Sequence, residues 1–278
     1  MFFGHLTFAW SSDAPEMAPV HAVIIVLEKG WNVLTRLFTY PHVKGEPIEV
    51  PTVRINNYLI DAEDLWVPER SEPLGPVPEV SFGTMPIDQG NLLVEPKDYE
   101  AVHADPIARK YLRPFIGAKQ LIANKPRWCL WLEDAEPSDL QRSPVLRQRI
   151  EANRVFREGS SKTGDAYKYR QTPHLMRPNQ SRPKTAYICI PAHFSENRRY
   201  ATVAYYEPNI ISGNANFTGI DPDGFLFAVI SSSMFITWQR MVGGRLESRL
   251  RFSKDVVWNN LPLPEVPEKL RHQIIDAG

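Results

Sequence analysis

The sequence predicts a mixed α/β (α+β) fold built from short strands and few helices, and three observations lead there. Proline supplies 25 of 278 residues, against a usual share of about 5%, which favours short elements joined by rigid turns. Hydrophobic residues make up 43% of the chain and charged residues 23%, the balance of a globular protein rather than a disordered one. A single near-continuous apolar strand stands close to the start, and no repeating strand-helix alternation follows it. A chain of this length fits one large domain or two ordinary ones.

That first strand is Val20-His21-Ala22-Val23-Ile24-Ile25-Val26-Leu27, whose unbroken apolar run predicts cover on both faces, as in a parallel sheet. Residues 1–40 therefore read as a piece of a larger α/β domain. From 41 to 86 the chain is proline-rich and acidic, with Asp61, Glu63, Asp64, Glu69, Glu72 and Glu79 against Arg54 and Arg70. A linker with short elements is expected over 41–100, with 54–61 as its ordered piece.

The body of the chain, 101–278, opens with Leu112-Arg113-Pro114-Phe115-Ile116-Gly117. A turn at Asn124-Lys125-Pro126 then leads into the strand Arg127-Trp128-Cys129-Leu130-Trp131-Leu132. Ser143-Pro144 reads as an N-cap with proline at the first helical position, and Val145, Leu146, Arg149, Ile150, Ala152, Asn153 and Phe156 share one helical face. On the other face Arg147 pairs with Glu151, and Arg154 with Glu158, four apart.

Residues 159–183 have no apolar period and read as a long mobile loop. Strands are expected at 185–190 and 200–206, flanking Ser195-Glu196-Asn197-Arg198-Arg199. A helix runs from the Ser231-Ser232-Ser233 cap through Met234, Phe235, Trp238, Met241 and Val242 to the Gly243-Gly244 stop. Residues 245–252 alternate as one strand, with Arg245, Glu247, Arg249 and Arg251 on one side and Leu246, Leu250 and Phe252 toward the core. The tail from Pro264 opens a further helix.

Cys129 and Cys189 sit in apolar, strand-like runs and read as reduced core thiols. The opening Met1-Phe2-Phe3-Gly4-His5 has no basic region and is not read as a signal peptide. No apolar run approaches the roughly 18 residues of a membrane span, so a cytoplasmic protein is expected.

Charge is segregated by position. The formal net charge is zero, yet between Gln141 and Lys184 there are 11 Lys/Arg against 3 Asp/Glu, which points to a polyanion partner. An enzyme is not indicated: glycine-rich nucleotide loops, a nucleophile elbow and an H-E-x-x-H pair are all absent. The seven histidines are scattered singly, so no metal site is expected. Asp221-Pro222-Asp223-Gly224 reads as a turn rather than a calcium loop.

The residue types that remain suit double-stranded DNA. Arginine pairs bidentately with guanine, asparagine with adenine, and glutamate accepts from cytosine N4. Ser195, Glu196, Asn197, Arg198 and Arg199 hold all three chemistries in one loop between strands, a shape that can enter a major groove. Lys168, Arg170, Arg182 and Lys184 would add phosphate contacts, which position without reading sequence. Arg245, Arg249 and Arg251 are further DNA-contact candidates, or else a charged outer face or a domain interface. Rival readings are a protein-interaction or subunit-organising module, an enzyme using His193 with Glu196, and an RNA binder stacking bases on Tyr187, Tyr200 and Tyr205.

The order of the motifs goes further. Ile55-Asn56-Asn57-Tyr58-Leu59, Gly83-Thr84-Met85-Pro86-Ile87-Asp88-Gln89-Gly90, Leu112 to Gly117 and Arg127 to Leu132 are followed by Ile190-Pro191 and Ser195 to Tyr200. Gly244-Arg245-Leu246-Glu247-Ser248 and Trp258-Asn259-Asn260-Leu261-Pro262 complete the series. Together they resemble the C-terminal target-recognition region of the MmeI-like (type IIL) restriction-modification enzymes, in which an adenine-N6 methyltransferase domain precedes the recognition domain.

The resemblance implies that 1–40 carries a late, non-catalytic methyltransferase strand, that 41–100 is a linker, and that 101–278 recognises duplex DNA through residues in and around Glu196 to Arg199. The F-x-G-x-G loop for S-adenosylmethionine and the N-P-P-Y adenine motif are not in this sequence. It implies no catalytic residue and no cofactor in this chain; S-adenosylmethionine and a methyltransferase catalytic domain would belong to the parent enzyme. Phe194 stands where serine is usual and Asn197 where arginine is frequent, so no recognition sequence carries over.

Overall fold

The computed structural model describes residues 1–10, 20–29, 34–177, 183–246 and 248–278. An N-terminal sheet takes β1 (Phe3–Trp10), β2 (Val20–Val26), β3 (Arg36–Thr39) and β4 (Ile48–Val50) in the order β2-β1-β3-β4. The apolar run at 20–27 is the edge of that sheet and pairs antiparallel with β1. It is not covered on both faces: Val23 is 50% exposed and Ile25 47%. An apolar run shows that a strand favours burial, not which chain supplies the cover. Across β1 and β3, His5 stacks on Phe38 at 4.4 Å and bonds Tyr40 Oη through Nδ1 at 2.7 Å.

The ordered piece at 54–61 is a turn rather than a regular element. The Asn56 side-chain oxygen accepts from the Tyr58 and Ile60 amides while Nδ2 donates to the Glu63 carbonyl, and Leu59 takes a positive φ of 56°. Residues 68–78 then lie as a strap against the C-terminal part of the chain. Asn259 and Asn260 donate to the Arg70 and Pro68 carbonyls, and Trp258 Nε1 donates to Pro78. The Trp258-Asn259-Asn260 motif is thus the dock for this strap.

The rest of the fold divides around two hydrophobic cores. Its first half comprises β5 (Val80–Phe82), β6 (Leu93–Val94), α1 (Tyr99–Ala104), β7 (Leu112–Ile116), α2 (Ala118–Ala123), β8 (Trp128–Leu130), α3 (Pro137–Arg142), α4 (Pro144–Glu158) and α5 (Asp165–Lys168). Its second half comprises β9 (Tyr187–Pro191), β10 (His193–Phe194), β11 (Ala204–Tyr206), β12 (Ile211–Ser212), β13 (Asn216–Ile220), α6 (Phe225–Ile230), α7 (Ser233–Val242), β14 (Arg245–Leu246), β15 (Arg249–Arg251) and α8 (Glu268–Ala277).

One core gathers Leu92, Val94, Phe115, Leu130, Leu146 and Met176; the other gathers Val80, Ile188, Phe217, Phe235, Phe252 and Trp258. The sheet β12-β7-β8-β6 serves the first and β11-β9-β13-β5 the second. They join where Cys189 of β9 bonds Ser212 of β12 at 3.3 Å and where Asn216 Nδ2 donates to the Ile116 carbonyl. The Gly83-Thr84 motif lies at this seam: a Cβ on Gly83 would meet the Ser212 and Gly213 carbonyls at 2.5 Å, a spacing that only glycine tolerates.

Several sequence expectations hold as written. Ser143 accepts from the Leu146 amide and caps α4, and Ser232 accepts from Phe235 and caps α7. Cys129 and Cys189 are free, buried thiols. Asp221 accepts from the Leu226 and Phe227 amides at the start of α6. Glu151, however, is held by Arg154, which also takes Glu158.

Residues 160–177 are not a mobile loop. They contain α5 and the buried Met176, and they are tied down by Arg157, which is fully buried on α4. Its guanidinium donates to the carbonyls of Pro86, Ile87, Tyr169, Thr172 and Leu175. All five N–H donors are thereby used, with no carboxylate needed. Nor is 245–252 one strand: Leu246 pairs with Arg249 across a hairpin of β14 and β15. Leu250 and Phe252 are buried as expected, but the reversal leaves Leu246 46% exposed.

Candidate nucleic-acid interface

The Ser195 loop is an exposed arch between two buried anchors. Before it, β9 is buried along its whole length and β10 ends on Phe194, 2% exposed; after it, Ala201 is buried. Phe194 lies opposite Leu250 in register. Burying two such side chains contributes roughly 1.5–3 kcal/mol each, which fixes the footings of the arch. Between the anchors, Asn197 to Tyr200 are exposed and Ser195 and Glu196 half-buried.

Serine shapes the turn. Ser195 Oγ accepts from the Asn197 amide at 3.2 Å and its carbonyl accepts from the Arg198 amide at 3.3 Å, the serine-initiated turn expected of that residue type. Arg199 lies over the Tyr200 ring at 5.3 Å. Among the described residues, the side chains of Glu196, Asn197 and Arg198 form no hydrogen bond or ion pair.

The sheet β10-β15-β14 sets the arginine hairpin beside this loop, with Arg251 opposite His193. Arg245 donates from Nη1 to the Ser248 carbonyl at 3.1 Å. Its pKa is lowered, first by loss of hydration and further by Arg240, against the pull of Glu196. The His193 pKa is lowered too, first by burial and then by Arg251 and Arg249. Burial and the two arginines all favour the neutral imidazole, and the surroundings are electropositive. His193 also lines a groove of about 860 Å³ together with Phe82, Asn214, Phe217, Arg251 and Lys254.

The structure therefore brings Ser195 to Arg199 together with Arg245, Arg249 and Arg251. Lys168 and Arg170 belong to the α4–α5 corner instead. Lys168 pairs with Asp165 at 3.1 Å, and Arg170 packs on the Tyr167 ring at 4.1 Å. Lys184 is exposed ahead of β9, at the opposite end of that strand from Ser195. Arg182 lies outside the described residues.

Two residues of the site carried no sequence signal. Arg240 of α7 donates from Nη2 to the carbonyls of Glu196 at 3.2 Å and Arg198 at 2.8 Å. Its neighbour Gln239, fully buried, donates to the Arg251 carbonyl at 3.0 Å. Both contacts are non-local and go to backbone, which has no sequence signature. Among the described residues, no group of acidic, histidine and cysteine side chains could hold a metal ion, and no helix is long and apolar enough to cross a membrane.

Comparison with known proteins bears on this geometry. A family model described as "MmeI, target recognition domain" matches residues 61–265. The chain is 30% identical over 277 residues to DNA methyltransferase A of Bacillus subtilis (strain 168), covering 99% of this chain and 31% of that protein. Its structure matches the type IIL restriction-modification enzyme MmeI, solved in complex with DNA, with a TM-score of 0.86 and 34% identity. That match covers 99% of this chain and 36% of the other. The chain thus spans about a third of the length of these relatives.

Proposed function

Since the chain belongs to the MmeI target recognition domain family, we propose that it is the part of a DNA adenine-N6 methyltransferase, in a restriction-modification system, that reads the target sequence. The observation that carries this reading is the Ser195–Arg199 arch. Among the described residues, three side chains of complementary base-reading chemistry make no hydrogen bond there, on a backbone braced from below and beside a hairpin of arginines.

In this reading the arch enters the major groove of duplex DNA, where Arg198 and Arg199 donate to guanine, Asn197 pairs with adenine and Glu196 accepts from cytosine N4. Arg245, Arg249 and Arg251 neutralise backbone phosphates alongside. Lys168, Arg170, Arg182 and Lys184 contact phosphates farther along the duplex. The bound site then presents its adenine for flipping into a catalytic domain outside this chain, where S-adenosylmethionine supplies the methyl group. Residues 1–40 belong with that catalytic half, 41–100 lead from it and lend β5 and β6 to the sheets of the recognition fold, and 101–278 read; the parent enzyme works in the cytoplasm.

The test is a binding selection of this chain against randomised duplex DNA at about 150 mM salt, where specific contacts must outlast counterion release. An enriched motif of several base pairs containing an adenine is the expected result. Retention without enrichment would reduce the site to a basic surface and overturn the reading.

A further inference from the structure

Two consecutive residues of α7 each hold one half of the interface by its backbone. Gln239 fixes the hairpin through the Arg251 carbonyl, and Arg240 fixes the arch through the carbonyls of Glu196 and Arg198. Glycine at 243 leaves room for the Gln239 side chain, since a Cβ there would collide with its amide group and meet its carbonyl oxygen at 2.5 Å. Among the described residues, Arg240 makes the only hydrogen bonds that reach 195–200 from outside that stretch. The Ser195 turn closes the arch locally but does not orient it against the body of the protein.

We propose that Arg240 is a positioning residue that determines sequence specificity: it sets the direction in which the arch presents Glu196 and Arg198, in fixed relation to the arginine hairpin. The inference rests on the reading that this arch contacts bases. Each peptide unit is planar, so anchoring the carbonyls of residues 196 and 198 fixes the 196–197 and 198–199 planes, which bracket Asn197 and Arg198. Base pairing by a bidentate side chain requires that its Cα stand at one place and angle. Both bonds are exposed to water, so their loss frees the direction of the arch while leaving the fold intact. Arg240 touches no base in this account.

The experiment repeats the binding selection on the full 278-residue chain as wild type, Arg240→Met and Arg240→Lys, with melting profiles and the salt dependence of binding. Arg240→Met is expected to melt as wild type and to keep total DNA retention within about threefold, while discrimination at the enriched positions falls about tenfold or more. Both bonds leave from one terminal nitrogen, so the lysine ammonium is expected to restore the motif.

An unchanged motif in Arg240→Met, with uniformly weaker binding and a shallower salt dependence, would make Arg240 a phosphate contact and overturn the proposal. Loss of the fold in Arg240→Met overturns it as well, because the role would then be structural. Absence of any motif in the wild type instead overturns the base-reading function itself, and this inference with it.

Discussion

Arg157 Nη1 lies 2.8 Å from the carbonyl oxygen of Thr172, 15 residues further along the chain, in one of five bonds that this buried cation makes to main-chain oxygens. The guanidinium takes the place of regular structure for two irregular stretches, Pro86-Ile87 and 169–175. Replacing it with methionine leaves five carbonyls without their donor. Arg157→Met is expected to cost about 3–5 kcal/mol, read as a lower urea midpoint. Arg157→Lys is expected to recover only part of this, since three donors cannot satisfy five acceptors. A midpoint unchanged in both variants would mean that water replaces the side chain.

Replacing Arg198 and Arg199 together with alanine tests the reading face. Each good bidentate contact discriminates by about 1–3 kcal/mol, so the double variant is expected to relax sequence choice more than it lowers non-specific affinity. Competition between the selected duplex and a scrambled one measures both. Equal losses on the two would move recognition elsewhere.

Asn260 tests the strap. Its Nδ2 donates to Pro68, Asp255 and Val256, and its Oδ1 accepts from Arg70 Nε. Asn260→Ala is expected to cost about 2–3 kcal/mol and to open 68–78 to limited proteolysis ahead of the rest of the chain. Cleavage that begins elsewhere would show that the strap is held by its other contacts.

Acid should weaken the fold through histidine. The pKa values of His174 and His193 are lowered, in each case first by burial and then by neighbouring arginines. The unfolded chain therefore binds more protons near and below the ordinary histidine value, so stability is fully present well above about pH 6.5 and falls as pH drops through it. The thermal midpoint is expected to be lower at pH 5.5 than at 7.5, and His174→Gln to lessen the difference. A midpoint that rises on acidification would reverse the sign argued here.

Both thiols should be inert while the protein is folded. Burial pushes the Cys189 pKa up to about 12 and that of Cys129 upward as well, so neither supplies a thiolate at neutral pH. A disulfide reagent is expected to titrate them only after denaturant is added.

What the sequence revealed follows how local each signal is. Ser143-Pro144 and Ser232 mark helix starts within four residues, and both are seen. The 20–27 run was legible as a strand but not as an edge, because its partner strand and its missing cover lie elsewhere. The hairpin at 245–251 reverses without a glycine or Asn-Gly pair, so its alternation passed for a single strand. The order in 160–177 depends on one arginine of α4, and an arginine in a helical period gives no sign that it faces inward. The loop at 195–199 is legible as a polar turn after a buried strand. Its orientation is not, because Arg240 lies more than 40 residues downstream and grips only main-chain oxygen.

The strap also imposes an order in time. Pro78 meets the Trp258 indole 180 residues later, and Pro68 meets Asn260 192 residues later. At ribosomal rates of about 5–20 residues per second, 68–82 emerges roughly ten to forty seconds before its dock exists. The second core therefore cannot close before Trp258 and Asn260 have been made, and until then the nascent chain presents β5 and its apolar neighbours to whatever waits at the exit of the ribosome.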